Sequence, residues 1–477
     1  MTVSNFMTML NEKLTLPLQY NTFLFDTYIM RKTKDVRRDW LGGNYIVPFE
    51  AGQQDNYQSN GGLVPMADLQ TESFVRGSIT DYREVSGAIT ALAKDMHQHG
   101  GSAGRVPADT FYRQKLGKLL MKAKSRFQYK FSYGILTGQE WDSSSTAGTA
   151  KGVLTVTSPY RFVHGQKVII QKQTSANKPF VSSSAILQTE GYVNKIDMGT
   201  KKVTFTTKSG GDLDLSSYTL ASSAKVKIFN PGDEPSLADA TDQTSALVRG
   251  GGFTSLREQV FTSTNGGSDT LFGQTKTDYQ FLQSLNVSMS GASTREGFVF
   301  ALYDAFEKFL LEGQPYSTGR TGERTNETGN MNWFGRGNSS IECLISVPWF
   351  GVLKKYFLTK RGDYFKSIRR GPTYFDAPTM MIEGPNGNNM HIVGIRDLPN
   401  SIGYIVGDDP FQFATNNFIR NYPSPDGNKW HTERTATGAS TDKYQYVCDF
   451  TVYGDFILKR PAGVMGLHSF PTTLPTS

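Results

Sequence analysis

The spacing of apolar and polar positions changes character several times along the 477 residues, and each change predicts an element. Residues around Phe6 to Leu14 are weakly helical, and Arg31, Lys32, Lys34, Arg37 and Arg38 follow before the Gly42-Gly43 break. The first 43 residues therefore read as an arm without a core of its own. The run NYIVPFEAGQ (44–53) reads as a strand and QTESFVRGSITDYREV (70–85) as its return, which predicts a hairpin. Sixteen extended residues at ~3.3 Å each span about 50 Å, far beyond an ordinary strand. The Ser, Gly, Gln and Arg positions leave little apolar stripe, so this hairpin is expected to lie on another molecule.

From about Ala108 to Gly134 the period becomes helical. Leu116, Leu120, Ala123, Phe127 and Phe131 fall on one face. Beside them Lys115, Lys118, Lys122 and Arg126 form a second stripe, and no acidic residue occurs between Arg113 and Gly138. Residues 139–231 then break into short β-type runs, VLTVTS, QKVIIQKQ, GYVNKID, KKVTFTTK and AKVKIF, which suit a small barrel or sandwich inserted into the chain. In the fourth run Val203 and Phe205 should face one way, Lys202 and Thr204 the other.

Beyond a loop-rich link, Ser293-Thr294-Arg295-Glu296 reads as a capping box ahead of FVFALYDAFEKFLL, with Gly313 as the terminating glycine. Phe298, Leu302, Ala305, Phe306 and Phe309 give this helix a broad apolar face. The segment STGRTGERTNETGN reads as a loop. After it come a strand (SIECLISV), an aromatic helix (PWFGVLKKYF), two strands (TMMIEG and MHIVGIRDL) and a long last strand over 444–459.

Composition sharpens the picture. Charged residues are only 19%, aromatics 12%, with 48 Gly and 20 Pro, which excludes coiled coils and long solvated tails and leaves much of the surface uncharged. Interfaces lose charge and gain aromatics in the same way. The formal charge of +7 is a mild basic excess compatible with nucleic acid. Cys343 and Cys448 are too few for a disulfide framework, and together with the absence of a leader-like start they suggest a reducing cytoplasm. No run approaches the ~18 apolar residues of a membrane span.

Candidate chemistry is thin. Gly100-Gly101-Ser102-Ala103-Gly104 matches G-x-S-x-G, but the polar ALAKDMHQH before it is no buried strand, and a nucleophile elbow needs one. His97-x-His99 has no further ligand at metal spacing, and Asp408-Asp409 before Pro410 reads as a turn. Phosphate-loop, dinucleotide, zincin and EF-hand patterns do not occur. No catalytic, cofactor or metal site is expected. The lysine stripe is different, because a solvated helix normally mixes signs, and this one repels itself unless it faces an anionic partner.

In order and pattern the chain resembles the tailed-bacteriophage major capsid proteins of the Hong Kong 97-type fold. The hairpin at 44–85 resembles that family's E-loop, and the helix ending in RFQYKFSYGILTG its spine helix. The segment DTLFGQTKTDYQFLQSLNVSMSGASTREGFVFALYDAF resembles its strand-to-helix passage, and YQYVCDFTVYGDFILKRPAGVMGLHSF its closing strand and tail. The resemblance implies an α+β fold with a β-rich insertion. Its parts would be an N-terminal arm (1–43), E-loop (44–85), spine helix and first part of the P-domain (86–140), insertion domain (141–231), P-domain return (232–290), A-domain (291–440), and closing strand with tail (441–477). It implies a non-enzymatic shell protein of a virion, assembled in the host cytoplasm as hexamers and pentamers, and packaging double-stranded DNA. A separate scaffolding protein, a portal and a cement or decoration protein would be its further partners. Lys115, Lys118, Lys122 and Arg126, with the arm cations Arg31, Lys32, Arg37 and Arg38, are then expected to face phosphates without reading bases. The alternatives are an encapsulin-type cellular compartment of the same fold, and a serine hydrolase using Ser102.

Overall fold

The alternation of Tyr45, Val47 and Phe49 with Ile46, Pro48 and Glu50 forms a strand that sits partly on the chain's own core. The computed structural model describes residues 35–37, 45–50, 74–79, 83–92, 136–137, 140–174, 179–182, 185–220, 224–231, 234–235, 254–278, 282–313, 341–360, 379–383, 389–407, 410–414, 420–421, 431–435 and 443–475. Strand β1 (Asp35–Arg37) runs parallel to Phe411–Ala414, so this part of the arm joins a sheet. Strands β2 (Tyr45–Glu50) and β3 (Phe74–Ile79) pair antiparallel as a two-stranded ribbon, with Tyr45 opposite Ile79, Val47 opposite Gly77 and Phe49 opposite Val75. That register gives one face an apolar stripe, contrary to expectation. Val47 is buried against Leu271, Leu282, Ala414 and Ile457, so the ribbon is anchored within its own subunit. The return run is also not one strand. β4 (Arg83–Leu92) leaves the ribbon and pairs over ten residues with the closing strand, from Gln445 opposite Leu92 to Gly454 opposite Arg83.

Six strands form the next unit: β5 (Glu140–Ser144), β6 (Val153–Thr155), β7 (Lys167–Thr174), β8 (Gln188–Asp197), β9 (Lys202–Thr206) and β10 (Ala224–Phe229). They are ordered β5-β10-β7-β8-β9-β6. The ends meet, because Ser144 bridges Val156, the Ser145 amide donates to the Thr155 carbonyl at 2.9 Å, and the Thr157 amide donates to the Ser143 carbonyl at 3.0 Å. Sequence left barrel and sandwich open, and this closure makes it a barrel. Val203 and Phe205 point inward and are fully buried, while Lys202 is exposed. Leu154, Val168, Ile170, Val226 and Ile228 complete the interior, and Phe162 caps it edge-on to Phe205 at 6.0 Å.

The remaining chain supplies α1 (Leu256–Val260), β11 (Leu285–Ser288), α2 (Arg295–Glu312), β12 (Ile341–Ser346), α3 (Val347–Lys360), β13 (Thr379–Glu383) and β14 (Asn389–Ile395). It ends with β15 (Gly403–Val406), β16 (Phe411–Ala414), β17 (His431–Thr435), β18 (Lys443–Leu458) and β19 (Val464–His468). A mixed sheet runs β11-β19-β15-β12-β14-β13, with β11/β19 and β12/β14 parallel. Alternate residues of one face, including Cys343, Ile345, Ile392, Ile405 and Met465, pack under α2 and α3. On the other face lie Leu344 and Tyr404, whose hydroxyl donates to the Leu136 carbonyl at 2.9 Å while Phe261 stacks on its ring. Both faces being covered, all of β12 is buried. Residues 464–468, which sequence assigned to a tail, are thus an interior strand.

Two helix-end expectations are corrected. The N-cap of α2 is Thr294, whose hydroxyl accepts from the Gly297 amide at 3.0 Å, so the box begins one residue later than expected. A Cβ on Gly297 would stand 2.7 Å from the Gly291 carbonyl, so the tight entry takes glycine where a capping box needs glutamate. Glu296 instead lies in the first turn, where its charge suits the helix dipole. Gly313 is extended (φ −87°) and not left-handed; a Cβ there would stand 2.5 Å from the Phe309 carbonyl and 2.7 Å from its ring. Close approach, not positive φ, requires the glycine.

β18 is the seam of a second sheet, pairing with β4, β16 and β17. The fully buried Asp455 accepts from the Thr254 amide and hydroxyl, both at 2.6 Å, and from the Phe456 amide at 2.8 Å. Gln259 donates to the Phe456 carbonyl at 2.8 Å and accepts from the Leu458 amide at 2.6 Å. The barrel is fastened to the mixed sheet by similar means. Tyr160 donates to the Leu398 carbonyl at 2.5 Å, the Asn400 amide donates to Ser158 Oγ at 3.3 Å, and Lys201 Nζ donates to the Thr472 carbonyl.

Candidate assembly surface

Helix α2 carries the plainest exposed apolar surface among the described residues. Its inner face, Phe298, Leu302, Ala305, Phe306 and Phe309, is fully buried, and Phe298 lies 4.7 Å from the Trp349 ring of α3. Trp349 donates to the Asn400 carbonyl at 3.1 Å and also meets Phe470, which fixes α3 beside α2. The opposite side of α2 is a solvent stripe at steps of four, four, three and four residues: Glu296, Phe300, Asp304, Glu307 and Leu311. Phe300 is 57% exposed and Leu311 66%. Isolated exposed apolar residues are ordinary, and these two, three turns apart, stand as separate knobs on one acidic stripe. Sequence reasoning named only the inner face. Its missed signal was that Phe300 and Leu311 are apolar out of phase with the buried set.

The ribbon is a second open element. Among the described residues β2 and β3 hydrogen-bond as strands only to each other, and an outer edge of that kind is where a further strand can pair.

Of the expected DNA-facing residues, Arg37 is the last residue of β1, opposite Ala414 in register. Arg31, Lys32, Arg38, Lys115, Lys118, Lys122 and Arg126 lie outside the described residues, as do the helix at 108–134, Ser102, His97, His99, Asp408 and Asp409. Among the described residues no group of three or more His, Cys, Asp or Glu could hold a metal ion, and no helix is long and apolar enough to cross a membrane. Cys343 is a buried thiol whose pKa burial pushes up.

Three ionisable groups, Glu342 and Lys276 buried and Asp397 half-buried, sit in the framework beneath these surfaces. Burial pushes Glu342 of β12 up to about 8. It brings Lys276, whose ammonium donates to the carbonyls of Glu258 and Phe261 at 2.9 and 2.8 Å, down to about 8 against the pull of Asp269 and Glu258. Burial raises Asp397, at the barrel junction, to about 6 against the nearby Arg161 and Arg396.

No family model matches the chain, and no curated protein sequence does. Solved structures do resemble it. The capsid asymmetric unit of cyanophage A-1(L) is 10% identical with a TM-score of 0.40, covering 91% of this chain and 89% of that one. The capsid of a native GTA particle is 10% identical at TM-score 0.37, covering 94% and 90%. The satellite phage P4 procapsid that includes the size determination (Sid) protein is 8% identical at 0.32, covering 98% and 95%. At those scores the overlays assign no role to any residue here. Several of the solved structures that this chain resembles are phage capsid structures, and another is a virus-like particle from Pyrococcus furiosus.

Proposed function

We propose that the chain is the major capsid protein of a tailed double-stranded DNA bacteriophage, which assembles with its copies into the hexamers and pentamers of an icosahedral head. The observation that carries this reading is the β2–β3 ribbon: it is seated on its own subunit through Val47, yet among the described residues its two outer edges have no strand partner. Strand edges without partners are sites for pairing with a neighbour, and a chain with only 19% charged residues suits such contacts.

In Hong Kong 97-type terms, residues 1–43 are the arm, 44–85 the E-loop, 86–140 the spine helix with the first part of the P-domain, and 141–231 the insertion domain. Residues 232–290 return through the P-domain, 291–440 form the A-domain, and 441–477 close the fold. The lysine stripe Lys115, Lys118, Lys122 and Arg126 and the arm cations Arg31, Lys32, Arg37 and Arg38 line the inner surface, where phosphates neutralise them without base reading. Scaffolding, portal and cement proteins are separate partners, assembly takes place in the host cytoplasm, and the role is structural with no step assigned to Ser102. Negative-stain imaging of the purified full chain tests the reading. Capsomers, tubes or shells are expected, and a monomer or small closed oligomer at every concentration overturns it.

A further inference from the structure

The α2 stripe has a chemical complement elsewhere on the same subunit. α2 carries Glu296, Asp304, Glu307 and Glu312 against Arg295 and Lys308, whereas α3 carries Lys354, Lys355 and Lys360 and no acid. The outward side of α3 presents Val347, 37% exposed, then Gly351 one turn on, then the exposed Lys354. A Cβ built on Gly351 meets nothing within 4 Å, so the helix has a bare notch between an apolar residue and a cation. The acidic stripe holds two large apolar knobs, and the basic one holds an open notch.

Within one subunit these surfaces cannot meet. The two helices already touch through their inner faces at Phe298 and Trp349, which leaves both stripes turned to solvent among the described residues. We infer that the Phe300–Leu311 stripe of α2 docks on the Val347–Gly351–Lys354 surface of α3 in the neighbouring copy, with an apolar knob over the Gly351 notch and Asp304 or Glu307 against Lys354. Because the two patches differ, the contact is heterologous, and repetition closes a ring when the rotation between copies closes. Opposite charge sets the register and speeds encounter, while apolar burial in the notch supplies the affinity. This inference rests on the shell reading and adds to it the surfaces that hold one ring.

The test uses the full chain, sedimentation velocity over a concentration and salt series, and thermal unfolding of the unassembled subunit. Gly351→Leu fills the notch with a better helix former whose Cβ meets nothing within 4 Å. It should leave unfolding unchanged or slightly raised while weakening self-association by about tenfold or more. Phe300→Ser with Leu311→Ser should do the same. Glu307→Lys should weaken association, and adding Lys354→Glu should restore part of it. The inference is overturned if these variants assemble as wild type does, which leaves the shell reading intact. It is equally overturned if they lower the unfolding temperature of the unassembled subunit, because the stripe would then be covered by its own chain. Wild-type chain that never associates removes the shell reading and this inference with it.

Discussion

The barrel and the ribbon are both built from antiparallel strands, yet among the described residues one has no edges and the other has two. β5 and β6 meet through Ser144, Ser145, Thr155 and Thr157, so every barrel strand has neighbours on both sides and the interior is filled by its own residues. The ribbon has one internal ladder, and Val47 anchors it in the core. Closure makes a strand set independent of its surroundings, and open edges make it depend on a partner. The same division separates the buried inner face of α2 from its solvent stripe.

The largest effect is expected inside the closed unit. Phe205→Ala removes a fully buried ring from the barrel interior, and a loss of about 3–5 kcal/mol in unfolding free energy is expected. Denaturant unfolding of the subunit measures it; a loss below 1 kcal/mol on the order of a surface change would mean that the barrel is not a packed core. Residues 139–231 excised alone should give β-type circular dichroism and a cooperative melt, and a random-coil spectrum would deny the barrel its independence.

A smaller effect comes from the mixed sheet. Glu342 has its folded pKa raised to about 8, so its contribution is fully present below the ordinary carboxylate pKa and is lost as pH rises through 8. Glu342→Gln removes the carboxyl's ionisation and should flatten the fall in stability between pH 5 and pH 8 by a few kcal/mol, at ~1.4 kcal/mol per pH unit. Lys276, lowered to about 8, acts in the opposite sense, its contribution being present at high pH and lost as pH falls through 8. Its slope lies above pH 8, so melting curves of wild type and Glu342→Gln between pH 5 and pH 8 read Glu342 alone of the two, and parallel curves would contradict the assignment to Glu342.

What sequence could read follows from the same physics. Where one face is buried and the other wet, the pattern is clean, and Val203 and Phe205 against Lys202 behave as expected. Where both faces are covered, the period disappears. β19 is buried over Val464–Leu467, and Gly466 lets the Phe261 ring and Asn286 close onto it, so a central strand looks like a tail. β15 and β16 are four residues each and too short to announce themselves. The caps of α2 shifted because the tight approach at Gly297 and Gly313 depends on residues that no local motif encodes. The exposed stripe was legible only as apolar residues in the wrong phase of α2, and its partner surface on α3 only as a lysine-rich helix without acids.

The central claim is that the subunit's own core and barrel fold without help while the ribbon is completed by neighbours. Deleting residues 54–69, between β2 and β3, tests it most directly when thermal unfolding of the unassembled subunit and imaging of its assemblies are taken together. The account predicts an unfolding temperature close to wild type and absent or misshapen shells. A subunit that melts like a core mutant, or one that still builds normal shells, would contradict it.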